Sequence, residues 1–103
     1  MRRRLIALVA LAGLAGCGGE KAEIADPGKA KFQAVCQDCH GERGQGRGVY
    51  PRLAGRPADE LAARLLQYKT GHKTGYMSDT MRPFALALTE SEIDQVAAWL
   101  ATQ

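Results

Sequence analysis

Three stretches of the chain have apolar residues at helical spacing, and the first of them begins at Asp26-Pro27. An aspartate side chain can accept hydrogen bonds from the free amides of a first helical turn, and proline is well suited to the first helical position. This stretch predicts a helix that runs to about Val35, with Ala30, Phe32 and Val35 available to the interior.

A second helix is predicted after Pro57. Leu61, Leu65 and Tyr68 recur at the spacing that places side chains on one face of a helix. Gly71 supplies the stop, because glycine adopts the left-handed backbone conformation that ends many helices. The apolar face of this helix would pack against the rest of the domain.

The third helix opens with a capping box. In Thr89-Glu90-Ser91-Glu92 the threonine and the last glutamate can satisfy each other's exposed amides. One apolar stripe follows, made of Ile93, Val96, Trp99 and Leu100. Two irregular stretches, residues 41–55 and 71–83, separate the helices, and no strand-like alternation stands out. The pattern therefore predicts an all-α fold with three main helices and long loops.

The N-terminal residues have the pattern of an export signal. Arginines at positions 2–4 precede an apolar run of about ten residues, where a membrane-spanning helix needs roughly 20. Leu14-Ala15-Gly16-Cys17 resembles the cleavage box of bacterial lipoproteins, in which Cys17 becomes the lipid-bearing first residue. A common signal peptide with a small-residue cleavage site is the alternative.

This pattern divides the chain into a removed signal peptide (residues 1–16), a tether (residues 17–25) and one domain (residues 26–103). The mature protein would be exported and anchored by lipid to a bacterial membrane, facing the periplasm. Gly18 stands where an aspartate commonly retains such proteins in the inner membrane, which favours the outer membrane.

The residues that are most informative about chemistry are Cys36-Gln37-Asp38-Cys39-His40, which match the C-x-x-C-H pattern of covalent haem attachment. Two cysteines three residues apart at a helix end present both thiols on one side, where they can add to the two vinyl groups of one haem. The next residue then places an imidazole at the iron. The motif predicts one covalent haem c, attached through Cys36 and Cys39, with His40 as an axial ligand.

Other uses of this motif fit the chain less well. A thioredoxin-like redox site would be expected beside a βαβ pattern, which the chain lacks. A structural zinc site needs a second pair of ligands, and only His72 is available. With Cys17 acylated and the other two cysteines holding haem, no cysteine would be left over.

From Asp26 to the C-terminus, the chain resembles a class I cytochrome c of the short bacterial kind. In that family, C-x-x-C-H-G precedes a glycine-rich loop, a P-x-L segment, a helix that ends in glycine, an axial methionine and a last helix. The corresponding residues here are Gly41, Gly44, Gly46, Gly48, Pro51-Arg52-Leu53, Gly71, Met81 and Leu88-Thr89. The resemblance implies the small cytochrome c fold around one covalent haem.

The same resemblance implies two contacts inside the domain. The backbone carbonyl of Pro51 would accept a hydrogen bond from the second ring nitrogen of His40, which fixes the tautomer of the ring and raises its basicity as a ligand. At the other end of the domain, Gly28 and Phe32 would meet Trp99 where the first and last helices come together.

Met81, Met77 and His72 are the candidates for the second axial position on the iron. By the resemblance, this methionine stands seven residues before the leucine that opens the last helix, a separation that Met81 has from Leu88 and Met77 does not. Met77 is the runner-up and would otherwise pack against the haem. His72 follows the helix stop and is expected to be exposed to solvent.

An iron that binds both a histidine and a methionine has no open position for a substrate. The chain is therefore predicted to carry single electrons between a donor and an acceptor protein, and not to be an enzyme. We expect it to bind its redox partners and, through Cys17, the membrane, but no nucleic acid and no small-molecule substrate. The alternatives are an electron-transfer subunit of a larger oxidoreductase, and a haem enzyme or gas-binding protein whose methionine dissociates.

The distribution of charge refines the prediction about partners. The formal charge of +3 depends on three arginines of the signal, so the chain after them is neutral, unlike a typical nucleic-acid binder. Residues 43–82 nevertheless hold eight basic and only three acidic residues. This basic segment is a candidate docking surface for a redox partner, and a solvated surface without a binding role is the alternative.

Overall fold

The computed structural model describes residues 26–103. The five helices of this part are α1 (Pro27–Val35), α2 (Gln37–His40), α3 (Ala58–Lys69), α4 (Ser78–Leu86) and α5 (Glu90–Ala101). No strand occurs in residues 26–103, and only an isolated bridge joins Arg47 to Tyr50. The all-α fold with three main helices, α1, α3 and α5, is confirmed. The predicted signal and tether, with Cys17, lie outside the described residues.

The predicted caps of the first and last helices are present. Asp26 Oδ1 accepts hydrogen bonds from the amides of Gly28 at 2.9 Å and Lys29 at 3.3 Å. At the start of α5, the Thr89 hydroxyl accepts from the Glu92 amide at 3.1 Å, and the Glu92 carboxylate accepts from the Thr89 amide at 3.0 Å. Caps of this kind contribute about 1 kcal/mol each. They explain why these two helices begin where the sequence predicts.

Helices α1 and α5 meet at the residues expected from the resemblance. The rings of Phe32 and Trp99 pack with their centroids 5.0 Å apart and their planes tilted by 39°. One turn before Phe32, a β-carbon on Gly28 would lie only 2.0 Å from the backbone oxygen of Gln95. Only a residue without a side chain therefore lets the two backbones approach this closely.

An ion pair fastens the same two helices at the surface. Lys31 Nζ lies 2.6 Å from Glu92 Oε2. The hydrogen bond from Lys31, followed by that from the Thr89 amide, lowers the pKa of Glu92 to about 2. Glu92 is therefore ionised throughout the physiological pH range and serves the cap and the ion pair together.

One sequence-based expectation is wrong. Residues 71–83 were expected to be irregular throughout, but α4 occupies their C-terminal part. Pro83 lies inside this helix, where proline removes a backbone hydrogen bond and usually ends a helix. Burial outweighs that loss here, because Ala85 is fully buried and Leu88, just beyond the helix, is nearly so. Residues 41–55 contain no helix, as expected.

The core of the described domain is centred on α5, which packs against α1 on one side and α3 on the other, while α3 also packs against α4. The buried cluster consists of Phe32, Leu61, Val96, Ala97, Trp99 and Leu100. Three of these side chains, from α3 and α5, also form walls of the cavity described below. Within residues 26–103, no helix is long and apolar enough to cross a membrane.

Candidate functional site

The residues with candidate chemistry line a single cleft. Its empty volume is about 850 Å³, and it opens to solvent. The predicted site residues on its walls are Cys36, Cys39, His40, Pro51, Met77 and Met81. Most of the remaining lining is apolar and includes Val49, Leu53, Leu61, Leu65, Phe84, Val96 and Leu100. Residues from four helices and the glycine-rich loop are thus brought to one mostly apolar cavity with a few polar groups, the composition typical of ligand and cofactor sites.

The two cysteines and the histidine are placed by the junction of α1 and α2. The Cys36 amide ends α1 by donating to the Phe32 carbonyl at 2.8 Å, and the His40 amide donates to the Cys36 carbonyl at 3.1 Å. Cys36 and Cys39 are both half-buried and carry free thiols. Burial, and then the neighbouring Cys39, raises the pKa of Cys36 to about 11. The junction therefore holds the neutral Cys36 thiol and the Cys39 side chain beside one imidazole.

The ring of His40 is held in one tautomer. It is 6% exposed, and its Nδ1 lies 2.9 Å from the backbone oxygen of Pro51. Because a carbonyl oxygen can only accept, Nδ1 is the donor of this hydrogen bond. The hydrogen bond that the resemblance implied is therefore present. It leaves Nε2 as the ring nitrogen that can ligate a metal.

The glycine-rich loop brings the Pro51 carbonyl to this position. The Gly46 amide donates to the His40 carbonyl at 2.7 Å. Gly46 has a φ of +89°, and a β-carbon on it would lie 2.8 Å from the amide nitrogen of Arg52. Glycine at this position thus lets the loop pass closely over residues 50–52, which fixes where the Pro51 carbonyl meets the histidine.

Met81 lies in α4, and Met77 is the N-cap residue that directly precedes this helix. The Met81 amide donates to the Met77 carbonyl at 3.0 Å, so the two residues lie one helical turn apart. Both are half-buried and line the cavity. His72 is exposed, its Nδ1 lies 2.8 Å from the Thr70 hydroxyl, and it does not line the cavity. The geometry thus brings both methionines to the cleft and leaves His72 outside it.

Comparison with known proteins identifies the family. Residues 23–100 match the family described as cytochrome c oxidase, cbb3-type, subunit III. The chain belongs to the c-type cytochromes. Cytochrome c-554(547) of Halothiobacillus neapolitanus is 35% identical to it over 86 residues, which cover 76% of this chain and 94% of that protein. Cytochrome c4 of Thiocapsa roseopersicina is 33% identical over 84 residues, covering 79% of this chain and 42% of that protein.

A solved structure agrees with this assignment. The structure of cytochrome c4 from Acidithiobacillus ferrooxidans matches with a TM-score of 0.65 at 30% identity, covering 74% of this cytochrome and 47% of that chain. This cytochrome therefore spans nearly all of the c-554(547) protein but less than half of the c4 proteins. The cytochrome c family and the cytochrome c fold are confirmed.

Family membership implies covalently bound haem c, and the cavity of this cytochrome fits that group. The apolar walls suit the macrocycle, and the cavity is lined by two free thiols, the kind of group through which haem c is attached. The His40 imidazole offers Nε2 to a metal, and two thioether side chains lie on the same cavity. This is the donor set of a cytochrome with histidine and methionine ligands.

Several lining residues of the cytochrome were not singled out from its sequence as site residues. They are Tyr50, Arg64, Leu65, Tyr68, Thr80 and Phe84, with Val49 at the mouth. The sequence did contain a pattern that places Arg64 at the cavity. Arg64 stands three residues after Leu61 and four before Tyr68, so it lies on the same face of the helix. The loop residues had no comparable signal.

The mouth of the cavity combines apolar and basic side chains. Val49 is 63% exposed and Phe84 is 42% exposed, and both line the cavity. Arg47 and Arg52 of the basic segment are exposed in the loop beside Val49. Lys73 is also exposed and forms an ion pair with Asp79 at 2.8 Å. Among the basic residues of segment 43–82, Arg64 is the one whose side chain lines the cleft.

Proposed function

We propose that this chain is a monohaem electron carrier in which Cys36 and Cys39 hold the haem and His40 and Met81 ligate its iron. The observation that best supports this is that two free thiols, an imidazole and a thioether line one apolar cavity. When bound, haem c supplies one-electron chemistry as its iron alternates between Fe(III) and Fe(II).

Each residue of the site has a distinct task in this proposal. Pro51 holds the His40 ring in one tautomer, so that Nε2 is always available as the ligand. The apolar walls exclude water, which strengthens electrostatic interactions inside the cavity and favours the less charged, reduced iron.

Met81 is preferred to Met77 as the second ligand because it stands seven residues before Leu88, the separation that the family resemblance implies. Thioether sulfur is a soft, neutral ligand, and pairing it with histidine raises the reduction potential. With both positions filled, the iron has no vacant site, which supports an electron carrier and not an enzyme.

Carbon monoxide tests this proposal directly. We expect the visible spectrum of the reduced wild-type protein to remain unchanged under carbon monoxide, because Met81 occupies the position that the gas would need. A reduced-minus-oxidised spectrum on the same sample verifies that the haem is present and redox-active. An immediate carbon monoxide difference spectrum would instead support a gas-binding protein or a haem enzyme.

The basic segment, residues 43–82, is proposed to dock a redox partner of acidic surface. Its residue Arg64 lines the cavity, and Val49 and Phe84, which also line the cavity, leave apolar surface exposed. Complementary charge mainly accelerates encounter, and salt screens it over roughly 8–10 Å at physiological ionic strength.

Charge reversal tests the docking proposal. We expect Arg47→Glu and Arg52→Glu to slow electron transfer from a periplasmic or membrane donor by several-fold at low salt, with the difference from wild type shrinking as salt rises. Lys29→Glu is the matched control, since Lys29 is exposed on α1 outside the basic segment. Stopped-flow rates over a salt series provide the measurement. Rates unaffected by salt and by both reversals would show that the segment is solvated surface only.

A second candidate function is supported by the description of the matched family, which names an oxidase subunit. In that case this chain would transfer electrons within a larger oxidoreductase and keep the same haem site. Mild detergent extraction distinguishes the two functions, because a subunit would co-purify with its complex and a free carrier would not.

We also propose that Cys17 is acylated and anchors the mature domain to the periplasmic face of a bacterial membrane, with the outer membrane favoured. The short apolar run that ends in Leu14-Ala15-Gly16-Cys17 supports this. We expect Cys17→Ser to lose labelling by radioactive or clickable palmitate and to move the protein to the soluble fraction. Wild-type protein processed in parallel is the reference, and persistent labelling of the variant would place the anchor elsewhere.

A further inference from the structure

The N-terminal end of α4 is held by a buried hydroxyl. Ser78 is only 5% exposed. Its Oγ accepts a hydrogen bond from the Thr74 amide at 2.7 Å and donates to the Gly75 carbonyl at 2.7 Å. The Ser78 amide donates to the same carbonyl at 3.2 Å. These hydrogen bonds close the turn formed by residues 74–78, at the point where α4 begins.

Thr74 connects this loop to α3. Its amide donates to Ser78, while its carbonyl accepts from Arg64 Nη1 at 3.2 Å. Arg64 lies on α3 and lines the cavity. We call Arg64, Thr74 and Ser78 the α3–α4 clasp.

The clasp lies next to the methionines. Ser78 directly follows Met77 and stands three residues before Met81, on the first turn of the same helix. The Met81 amide is bonded to the Met77 carbonyl, so the first turn of α4 fixes the position of Met81. Any rotation or fraying of this turn would move the sulfur of Met81 relative to the cavity.

We propose that the α3–α4 clasp keeps Met81 on the iron, with Ser78 as a positioning residue for this ligand. This rests on the proposed function, since it takes Met81 as the ligand. Methionine is a neutral ligand that external bases can displace from ferric iron. A ligand whose helix is already ordered loses less conformational entropy on binding and is therefore harder to displace.

Titration with imidazole, which displaces the methionine, measures how firmly Met81 is held. We expect ferric Ser78→Ala to keep the weak red-edge band of methionine-ligated haem but to lose it at a roughly tenfold lower imidazole concentration than wild type. A tenfold factor is within what the loss of the two hydrogen bonds of the Ser78 hydroxyl can supply. Should Ser78→Ala fail to retain haem, Arg64→Gln, which cuts the clasp at an exposed residue, is expected to show a several-fold shift in the same direction.

Two variants test whether a shift in imidazole affinity has a cause other than loss of the clasp. Ser91→Ala makes the same chemical change at an exposed position on α5. Phe32→Leu weakens the α1–α5 contact, which lies outside the clasp, and lowers thermal stability without touching α4. Both are expected to titrate like wild type, because neither changes how Met81 is held.

The outcomes separate this inference from the proposed function. Wild-type imidazole affinity in the clasp variants would overturn the inference while leaving Met81 as the ligand. If Phe32→Leu shifted the imidazole titration as much as the clasp variants do, the inference would be overturned too. A general loss of fold stability would then explain the easier displacement of methionine. Absence of the methionine band in wild-type protein would instead refute the ligation itself, and the inference with it.

Discussion

Replacing Cys36 and Cys39 together by serine is expected to abolish covalent haem attachment completely. A serine hydroxyl is a far weaker nucleophile than a thiol at neutral pH, and residues 26–103 contain no cysteine besides Cys36 and Cys39. Acid-acetone extraction of the denatured protein, followed by a haem stain of the gel, measures the result. Wild type should keep its colour in the protein fraction, and the double variant should lose it.

Cys17→Ser is the matched control for this experiment. It makes the same chemical change at a cysteine outside residues 26–103 and is expected to keep covalent haem. Haem that extracts freely from the wild-type protein would contradict the attachment proposed for Cys36 and Cys39.

Loss of the haem should also destabilise the fold. Leu61, Val96 and Leu100 belong both to the buried core and to the walls of the cavity. Burial of each such side chain contributes roughly 1.5–3 kcal/mol, while a small domain is stable by only about 5–15 kcal/mol in total. We therefore expect the double variant to lose helical circular dichroism and its cooperative thermal transition.

Replacing Met81 by alanine is expected to remove the red-edge band of the ferric protein and to lower the reduction potential. The axial ligands of haem proteins span about 0.8 V in potential, and replacing methionine by water or another harder ligand should account for a drop on the order of 0.1 V. A spectroelectrochemical titration measures both effects on one sample.

Met77→Ala is the control for this prediction, because Met77 caps the start of α4, one turn before Met81, and lines the same cavity. It should keep the band and a potential close to that of wild type. If Met77→Ala loses the band and Met81→Ala keeps it, the ligand is Met77 and the seven-residue separation does not hold in this chain.

The starts of the first and last helices could be predicted because their signals are local, whereas the contact between the two helices was accessible only through the family resemblance. The aspartate and proline at residues 26 and 27 and the capping box before α5 each act through hydrogen bonds within one turn. The helical periodicity of α3 also brings Leu61, Leu65 and Tyr68 to one face without help from distant residues. The cavity lining of that helix follows from the same periodicity.

The site chemistry could be predicted in part for the same reason. Cys36, Cys39 and His40 stand within five consecutive residues, so their spacing alone places their side chains together. The bond between His40 and Pro51 spans eleven residues and was accessible only through the family resemblance. Its presence follows from the path of the glycine-rich loop, and a single sequence does not determine that path.

The sequence by itself determined where α1, α3 and α5 begin and the cluster of two cysteines and a histidine, because each depends on residues that are neighbours along the chain. The tertiary structure alone decided that α4 forms around Pro83, since the burial of Ala85 and Leu88 that offsets the lost hydrogen bond depends on helices distant in sequence. It also decided that Met77 and Met81 share one cavity, and that Ser78 and Arg64 hold the helix that carries them. Contacts between segments determine these features, and no local pattern encodes them.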